Sequence, residues 1–294
     1  MPARRVGLLG LGAIGETVAR ALTNPVAAAP GEPAEEVGGV EGTVLVAVLV
    51  TDCQKHTEKL TWLNGGTGRV LLTSDPEEFF AAGCDVVVEA AGQESVSQFG
   101  EQALKAGTDL IISSTGALTD DSLRDRLHAA ARSAAGGRLH LASGAMPGLD
   151  WMQAVSMGAG GAQLVSVTQS KPPYSWYGTC AEGAVRAITD WDEQGPLTVF
   201  EGVARDAARQ FPKSSNVTAT LAFATAGLDN TRVKLVADPK PFFSTLVELQ
   251  SQAGTIRIQA EHQPSSTNPR TSADVALSIL RSLRATCSPF VVGT

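Results

Sequence analysis

In the first half of the chain, short apolar runs alternate with segments whose apolar residues recur at helical spacing. The run TVLVAVLV at 43–50 and the run CDVVVEAA at 84–91 are typical of strands covered on both faces. Helical patterns follow such runs, as SVSQFGEQALKAG follows the second one. This alternation, from residue 5 to about 145, predicts an α/β fold of the Rossmann type, a doubly wound parallel sheet. A stretch rich in Pro, Gly and Glu at 24–42 is predicted to be a loop or loosely ordered insertion.

The pattern changes after residue 146. Segments such as AQLVSVTQSKPP, TRVKLVADP and TIRIQAEHQP alternate apolar with polar residues, which is typical of antiparallel strands with one exposed face. Helical segments, EGVARDAARQF and NVTATLAFATAG, lie between them. We therefore expect a Rossmann domain at 1–146 and a second α+β domain with a mainly antiparallel sheet at 147–270. A C-terminal helix within 271–294 is expected to pack back on the first domain.

Composition narrows the class of protein. The chain has 294 residues and a net charge of −7, so it offers no basic field that would hold a nucleic acid. It contains no continuous apolar run of about 18 residues, so we expect no membrane span. Its four cysteines are scattered without metal-ligand or disulfide spacing. These features predict a cytoplasmic protein with free thiols and no metal site.

The first candidate site is the G-x-G-x-x-G formed by Gly10, Gly12 and Gly15, directly after a strand and at the start of a helix. The first glycine permits a tight turn, the second lets the backbone approach a diphosphate, and the third lets helix and strand pack closely. The helix N-terminus presents N–H groups and partial positive charge to the phosphates. We therefore predict cofactor contacts along the loop, from Gly10 and Gly12 through Ala13 and Ile14 to Gly15.

The end of the second strand leaves the choice between NAD and NADP open. An acid is expected there to hold the ribose 2′-hydroxyl, but Val50 occupies that place and Asp52 comes two residues later. Lys55 and His56 would suit a 2′-phosphate. It is equally plausible that Asp52 caps a turn and that the two basic residues are solvated.

In this fold, ligands lie beyond the carboxyl ends of the strands. That rule places the turns EAAGQES, SSTGAL and ASGAMPG around the nicotinamide, with Ala90, Ala91 and Ser114 as cofactor contacts. Ordinary turn formation is the alternative explanation for each. Farther along, Lys171 ends a strand just before two prolines and could neutralise a substrate carboxylate; the alternative is a lysine that is only solvated. Asn216 precedes a helix, either as its N-cap or as a hydrogen-bonding partner of cofactor or substrate.

Taken together, several stretches resemble the L-aspartate dehydrogenase family. They include GLGAIG, EAAGQESV, SGAMPGLD, KPP, NPRTSADVALS and, most specifically, the block from 200 to 239. The resemblance implies a homodimer whose second domain serves the substrate and dimerisation. It implies reversible oxidative deamination of L-aspartate with NAD or NADP, through iminosuccinate. It also implies cofactor contacts at Ala145 and Asn216.

The chain departs from the family pattern where the presumed catalytic histidine is expected. The family has Asn-x-His after its ADP segment, and the aligned residues here are Ser244, Thr245 and Leu246. None of these exchanges a proton near neutral pH, as an imidazole does. Ser214 and Ser215 replace part of an Asn-rich turn, and Ser170 stands before KPP where the family often has a basic residue.

These departures shape the functional hypothesis. The leading interpretation is an NAD(P)-dependent oxidoreductase that acts on the CH–NH2 or C=NH bond of a small carboxylated amino or imino acid, with Lys171 as the candidate catalytic residue. A changed substrate or direction would account for the missing histidine. The alternatives are an imine reductase or dehydrogenase for a less acidic substrate, and a cofactor-binding protein without catalysis. Phe242 and Phe243 could line the pocket of the former, but core packing is the more usual role of such side chains.

Overall fold

A computed structural model describes residues 3–23, 39–64, 69–265, 268–269 and 271–293. The chain divides into two compact units, one formed by Met1–Ala142 with Ala276–Thr294 and the other by Ser143–Val275. The loop predicted at 24–42 falls mostly on residues 24–38, which lie outside the described residues. None of the helices in the described part of the chain combines the length and apolar composition that a bilayer span requires.

The first unit contains a six-stranded parallel sheet with the strand order β3-β2-β1-β4-β5-β6. The order turns outward in both directions from β1, so the prediction of a doubly wound Rossmann sheet is confirmed. Its elements are β1 (Arg4–Leu9), α1 (Ala13–Thr23), β2 (Thr43–Leu49), α2 (Leu60–Leu63), β3 (Leu71–Thr73), α3 (Pro76–Ala81), β4 (Val86–Glu89), α4 (Gln93–Lys105), β5 (Asp109–Ile112), α5 (Asp121–Ala131) and β6 (Leu139–Leu141).

Local sequence signals explain where these helices begin. Asp75 accepts a hydrogen bond from the Glu77 N–H at 2.8 Å, and Pro76 occupies the first turn of α3. Asp120 caps α5 in the same way, accepting from the N–H groups of Ser122 and Leu123. The central strands β1 and β4 carry almost continuous apolar side chains because both faces of the sheet are covered.

The C-terminal helix α11 (Asp274–Cys287) contributes most of its length to the first unit. Its Ile279 and Leu283 are fully buried, and they belong to the same apolar core as Val6 and Val18. The apolar residues of α11 recur at helical spacing, which gives the helix one face to bury.

The second unit contains a five-stranded sheet with the order β11-β10-β7-β9-β8. Among its described strands, β7 pairs parallel with β9 and the other neighbours are antiparallel, which confirms a mainly antiparallel sheet. Its elements are α6 (Leu149–Ser156), β7 (Ala162–Lys171), α7 (Glu182–Arg186), α8 (Trp191–Gln194), β8 (Leu197–Val203), α9 (Ala204–Gln210), α10 (Asn216–Ala224), β9 (Thr231–Ala237), β10 (Phe243–Ser251) and β11 (Gly254–His262).

One local prediction in this unit was wrong, and one of the two alternatives for Asn216 does not apply. The segment EGVARDAARQF was predicted to be helical throughout, but its first three residues end strand β8. The main chain of β8 is satisfied by pairing with β9, a partner about 30 residues away that local spacing does not reveal. Asn216 is the first helical residue of α10 rather than its N-cap, because Ser215 occupies the cap position.

One face of the second sheet packs against helices and forms the unit's core. We call it the core face. Val167, Val233 and Val247 lie on it at alternating positions along their strands, in one cluster with Ala207 of α9 and Leu221 of α10. The opposite face carries exposed or half-buried polar side chains, among them Arg257 and Glu261 of β11. Polar residues that lie on the core face are therefore exceptions that need a physical reason.

Candidate active site

The turn after β1 requires glycine at its first position. Gly10 has φ of 90°, a conformation that side chains other than glycine rarely adopt. A Cβ at Gly10 would lie 2.8 Å from the Ala91 Cα and 2.9 Å from the Ala90 carbonyl oxygen. The glycine turn therefore packs directly against the segment that follows β4, and the two predicted cofactor segments lie side by side.

The other two glycines of the fingerprint have different roles. A Cβ at Gly15 would lie 2.2 Å from the Gly10 carbonyl oxygen, so Gly15 permits the close packing of turn and helix. A Cβ at Gly12 would meet no atom within 4 Å. Gly12 is exposed, and its carbonyl accepts from the Glu16 N–H at 2.7 Å, so α1 starts beside it. This open space at a helix N-terminus fits a diphosphate, and the chain therefore fits a dinucleotide.

A lysine that the sequence did not single out supports the glycine turn. The Lys59 ammonium donates to the Leu11 carbonyl at 3.2 Å and to the Glu16 carboxylate at 2.6 Å. Arg20 donates to the same carboxylate. Burial tends to raise the pKa of Glu16, but the bonds from Lys59 and Arg20 bring it below its usual value. The negative charge of Glu16 is thereby paired near the place where the phosphates would bind.

The buried carboxylate of Glu89 joins the loops after β4 and β5. It accepts hydrogen bonds from the main-chain N–H groups of Ala91 and Gly92, at 2.9 and 2.7 Å. It also accepts from the N–H groups of Ser113 and Ser114 and from the Ser114 hydroxyl. The Glu89 side chain is fully buried, so these donors replace the water that it lost. This network holds Ala91 and Ser114 in place, and the Ala90 N–H is bonded to the Leu9 carbonyl of β1.

The residues after β2 favour the turn-capping explanation for Asp52. Its carboxylate accepts from the Gln54 N–H at 3.0 Å and caps the short 3₁₀ helix Cys53–Lys59. Lys55 is exposed and its ammonium lies 3.7 Å from the same carboxylate. Burial and the neighbouring Lys59 lower the pKa of His56, so it is neutral at neutral pH. Neither arrangement selects between a ribose hydroxyl and a 2′-phosphate.

Four polar residues lie at one end of the core face of the second sheet. Gln169 pairs with Thr245 across β7 and β10, and Thr245 pairs with Ala260 of β11. Gln169, Thr245 and Ala260 thus form one row across the three strands. Lys171, the last residue of β7, comes two residues after Gln169, and His262, the last residue of β11, comes two residues after Ala260. Gln169, Thr245 and His262 are buried, and strand alternation places all four side chains on the core face. We call Gln169, Lys171, Thr245 and His262 the polar cluster.

Lys171 is the cation of this cluster. Burial lowers the pKa of its ammonium to about 8, and no opposite charge offsets that effect. The ammonium lies 5.7 Å from the centre of the Trp176 ring. In the described part of the chain it has no carboxylate partner. A desolvated ammonium of this kind can bind a carboxylate and can exchange a proton near neutral pH.

The polar cluster also contains buried atoms without a partner among the described residues. They are the Oε1 atom of Gln169 and the Nε2 atom of His262. Each costs free energy when it is left unpaired, and in native proteins such atoms usually bind water or a ligand. His262 was not predicted as a site residue, because no spacing in the sequence connects it with Lys171 or Gln169. No group of His, Cys, Asp and Glu in the described ranges could hold a metal ion.

The aligned segment of β10 places its side chains on alternate faces. Thr245 lies on the core face beside Gln169, whereas Ser244 and Leu246 are half-buried on the other face. An imidazole at position 245 would join the polar cluster, but one at position 246 would point away from it. Ala145 is buried in a turn of the second unit, where Met146 N–H donates to the Ser143 carbonyl. Ala145 and Asn216 stay predicted cofactor contacts.

Comparison with known proteins identifies the family. Residues 10–142 match the NAD-binding domain of homoserine dehydrogenase, and residues 150–286 match the C-terminal domain of aspartate dehydrogenase. L-aspartate dehydrogenase 2 of Bordetella bronchiseptica is 36% identical over 290 residues, which cover 98% of this chain and 99% of that protein. The chain belongs to the L-aspartate dehydrogenase family. The L-aspartate dehydrogenase of Methanosarcina acetivorans is 32% identical over 99% of both chains.

Solved structures agree with this fold. The aspartate dehydrogenase of Thermotoga maritima matches 99% of both chains with a TM-score of 0.69 at 22% identity. The myo-inositol 2-dehydrogenase of Lactobacillus plantarum matches 96% of this chain and 88% of that one, with a TM-score of 0.53 at 14% identity. The predictions of family, of an oxidoreductase and of NAD or NADP as cofactor are therefore confirmed.

The two glycines of the loop allow a paired prediction. Gly12→Ala is expected to leave the unfolding midpoint unchanged and to weaken NADH binding at least tenfold, because the new methyl group occupies the space open to the diphosphate. Gly15→Ala is expected to destabilise the fold by about 1–3 kcal/mol, because its Cβ would collide with backbone. Calorimetry of coenzyme binding and thermal unfolding measure the two effects. Equal loss of stability in both variants would contradict the assignment.

Glu89→Gln is expected to destabilise the first unit by about 2–5 kcal/mol. The amide nitrogen is a donor, and it would face main-chain N–H groups that need an acceptor. NADH binding should weaken as well, since the loops carrying Ala91 and Ser114 lose their common anchor. Urea unfolding and coenzyme titration measure both effects. Glu94→Gln, an exposed site on α4, is the control, and a similarly small effect in both variants would refute the role of Glu89.

Proposed function

We propose that this protein interconverts a small carboxylated amino acid and its imino acid with NAD or NADP, and that L-aspartate is its substrate. The observation that carries the proposal is the relationship to L-aspartate dehydrogenases over the full length of the chain, including relatives at 36% and 32% identity. The proposal is supported by a lysine of lowered pKa in the second unit, where a substrate with carboxylates needs a cation.

The two units have separate tasks in this proposal. The glycine turn and α1 of the first unit hold the diphosphate, with the loop from Ala90 and the loop of Ser114 beside it. The bound coenzyme supplies or accepts a hydride at its nicotinamide ring. Ala145 and Asn216 of the second unit are proposed as further coenzyme contacts, on the basis of the family pattern. The polar cluster is proposed to bind the substrate.

Within the polar cluster, the Lys171 ammonium binds a substrate carboxylate. It lies on an apolar face near Trp176, so its attraction for an anion is less screened than that of a lysine in water. The Gln169 side chain provides a buried acceptor for a substrate N–H or hydroxyl group. Together they would fix the substrate's orientation, which is the larger part of what a protein contributes to hydride transfer.

A less acidic substrate is the second candidate. Phe243 is buried on the core face in the row that contains His262, so the cluster has an apolar neighbour of considerable size. Ser170 stands where the family often has a basic residue, and this reduces the number of cations available to a second carboxylate. We therefore include monocarboxylic substrates and cyclic imines in the test below.

We further propose that the protein is a cytoplasmic homodimer. The family resemblance supports the dimer, and the four cysteines, all free thiols, support a reducing compartment. Sedimentation analysis of the purified chain would measure the assembly, and a monomer at micromolar concentration would contradict it.

The activity can be tested directly on the purified chain. Oxidation of NADH and NADPH is followed with oxaloacetate and ammonia, with other 2-oxo acids and ammonia, and with cyclic imines. Turnover with oxaloacetate and ammonia, and reduction of NAD or NADP by L-aspartate, are the expected results. Coenzyme binding without turnover on any of these compounds would contradict the proposal, and exclusive turnover of the other substrates would favour the second candidate.

The pH dependence of KM tests the role of Lys171. Its ammonium loses a proton as pH rises through about 8, so KM for L-aspartate should stay level below that pH and rise by up to tenfold per unit above it. Lys171→Arg should remove this rise, because a guanidinium stays charged. Lys171→Met should raise KM at every pH without loss of stability, because burial disfavours the ammonium. A parallel rise of KM in the wild type and Lys171→Arg above pH 8 would contradict the assignment.

A further inference from the structure

We propose that His262, held by Asp274, is the proton-transfer residue of the polar cluster in a chain that has no histidine at 244–246. This inference rests on the proposed function, because it assigns a role within the same reaction. It is carried by three observations on the second unit: the position of His262 in the sheet, its bond to Asp274, and the unpaired state of its second ring nitrogen.

The register of the sheet places His262 in the polar cluster, on the face opposite to that of Leu246, the residue aligned with the family's histidine. His262 lies directly opposite Phe243, and two residues further along the ladder Ala260 lies opposite Thr245. Residues opposite each other in a ladder share a face, so the imidazole lies on the core face with Thr245 and Gln169. Neighbouring strands are about 4.8 Å apart, so the backbones of β11 and β7 are separated by about 10 Å.

The bond to Asp274 orients the imidazole. The Nδ1 atom of His262 lies 2.7 Å from the Oδ2 atom of Asp274, and the Ser272 hydroxyl donates to the other carboxylate oxygen. Burial tends to raise the pKa of Asp274, but the hydrogen bonds from His262 and Ser272 bring it below its usual value. An ionised Asp274 can only accept, so Nδ1 carries the proton, and in the neutral form of the ring Nε2 carries the lone pair.

The Nε2 atom is therefore available as a base. The His262 side chain is 7% exposed, and Nε2 is buried without a hydrogen-bond partner among the described residues. His140 also has a buried ring nitrogen without such a partner, but the carboxylate near it, Asp109, is bonded to Arg4 and to the Arg138 N–H instead. An imidazole–carboxylate pair with an unpaired second nitrogen is the arrangement that general bases use in enzymes.

The proton balance of deamination assigns a task to this nitrogen. An amino acid enters with an ammonium group, whose nitrogen has no free electron pair. The Nε2 atom accepts one proton from it, which leaves a neutral amine. That amine's lone pair forms the C=N bond as the hydride leaves the carbon for the oxidised coenzyme. The proton then passes from His262 to water, and the reverse direction uses the same groups in the opposite order.

His262→Asn separates this role from a structural one. The asparagine amide can donate to Asp274 as Nδ1 does, but it cannot exchange a proton near neutral pH. We expect kcat for L-aspartate to fall by about 10²–10⁴-fold, with KM, NADH affinity and the unfolding midpoint unchanged. His140→Asn, the matched control, is expected to keep the kcat of the unmodified chain. Steady-state kinetics, calorimetry and thermal unfolding give these values.

A second measurement does not depend on turnover. In the complex with NADH, which cannot oxidise an amino acid, L-aspartate should shift the ¹⁵N signals of the His262 ring and leave those of His140 unchanged. Assignment comes from the disappearance of each signal in the corresponding Asn variant.

The outcomes distinguish the inference from the proposed function. If the unmodified chain deaminates L-aspartate and His262→Asn does so at a rate within threefold, the inference is wrong and the function stands. A fall in kcat that accompanies lower stability or weaker NADH binding would indicate a structural role and would also overturn it. If the unmodified chain has no activity, the proposed function fails, and the ¹⁵N titration decides: a shift of the His262 signal supports its place in the ligand site, and no shift refutes it.

Discussion

The coenzyme half of this protein depends on one buried carboxylate. Glu89 has lost its water, and it recovers that free energy through main-chain N–H groups from two loops and through serine hydroxyls. The N–H groups of Ala91, Gly92 and Ser114 lie beyond the ends of β4 and β5, and they donate to its side-chain oxygens. The Ser113 N–H bonds both this carboxylate and the Glu89 main-chain carbonyl. The carboxylate thus replaces the hydrogen bonds that the sheet no longer supplies. Gly10 packs against the segment held in this way, so the glycine turn also depends on it.

In the second unit, by contrast, some buried polar atoms are left without hydrogen bonds. On the core face, apolar side chains give way at one end to a lysine, a glutamine, a threonine and a histidine, and two of their polar atoms have no partner among the described residues. A fold optimised only for stability would place apolar residues there, since each unpaired atom is unfavourable. The unfavourable free energy of these unpaired atoms has a physical reason if a polar ligand forms hydrogen bonds with them. Stability is given up at the place where specificity and chemistry are needed.

The features that could be predicted from the sequence are those that depend on residues close together in the chain. The G-x-G-x-x-G loop, the parallel sheet and the alternating strands of the second unit follow from spacing within a few residues, and the structure has them. The contacts of Glu89 with Ser113 and Ser114 join residues 24 and 25 positions apart, and the bond of Lys59 to Glu16 spans 43. No periodicity encodes such partners. The strand β8 and the parallel pairing of β7 with β9 were missed for the same reason.

The pairing of strands identifies a candidate proton-transfer residue that an alignment of the sequence does not show. An alignment compares positions along one strand, and at 244–246 it finds no group that exchanges protons. A sheet also brings side chains together across strands, about 4.8 Å apart, so a ring on β11 can serve the site that Thr245 of β10 borders. His262 stands on the same face as Thr245, and its carboxylate partner comes from the start of α11. Leu246, which aligns with the family's histidine, lies on the other face of the sheet. His262 therefore supplies the same chemistry from a different position of the fold, and the loss of a residue from a motif is not by itself the loss of its chemistry.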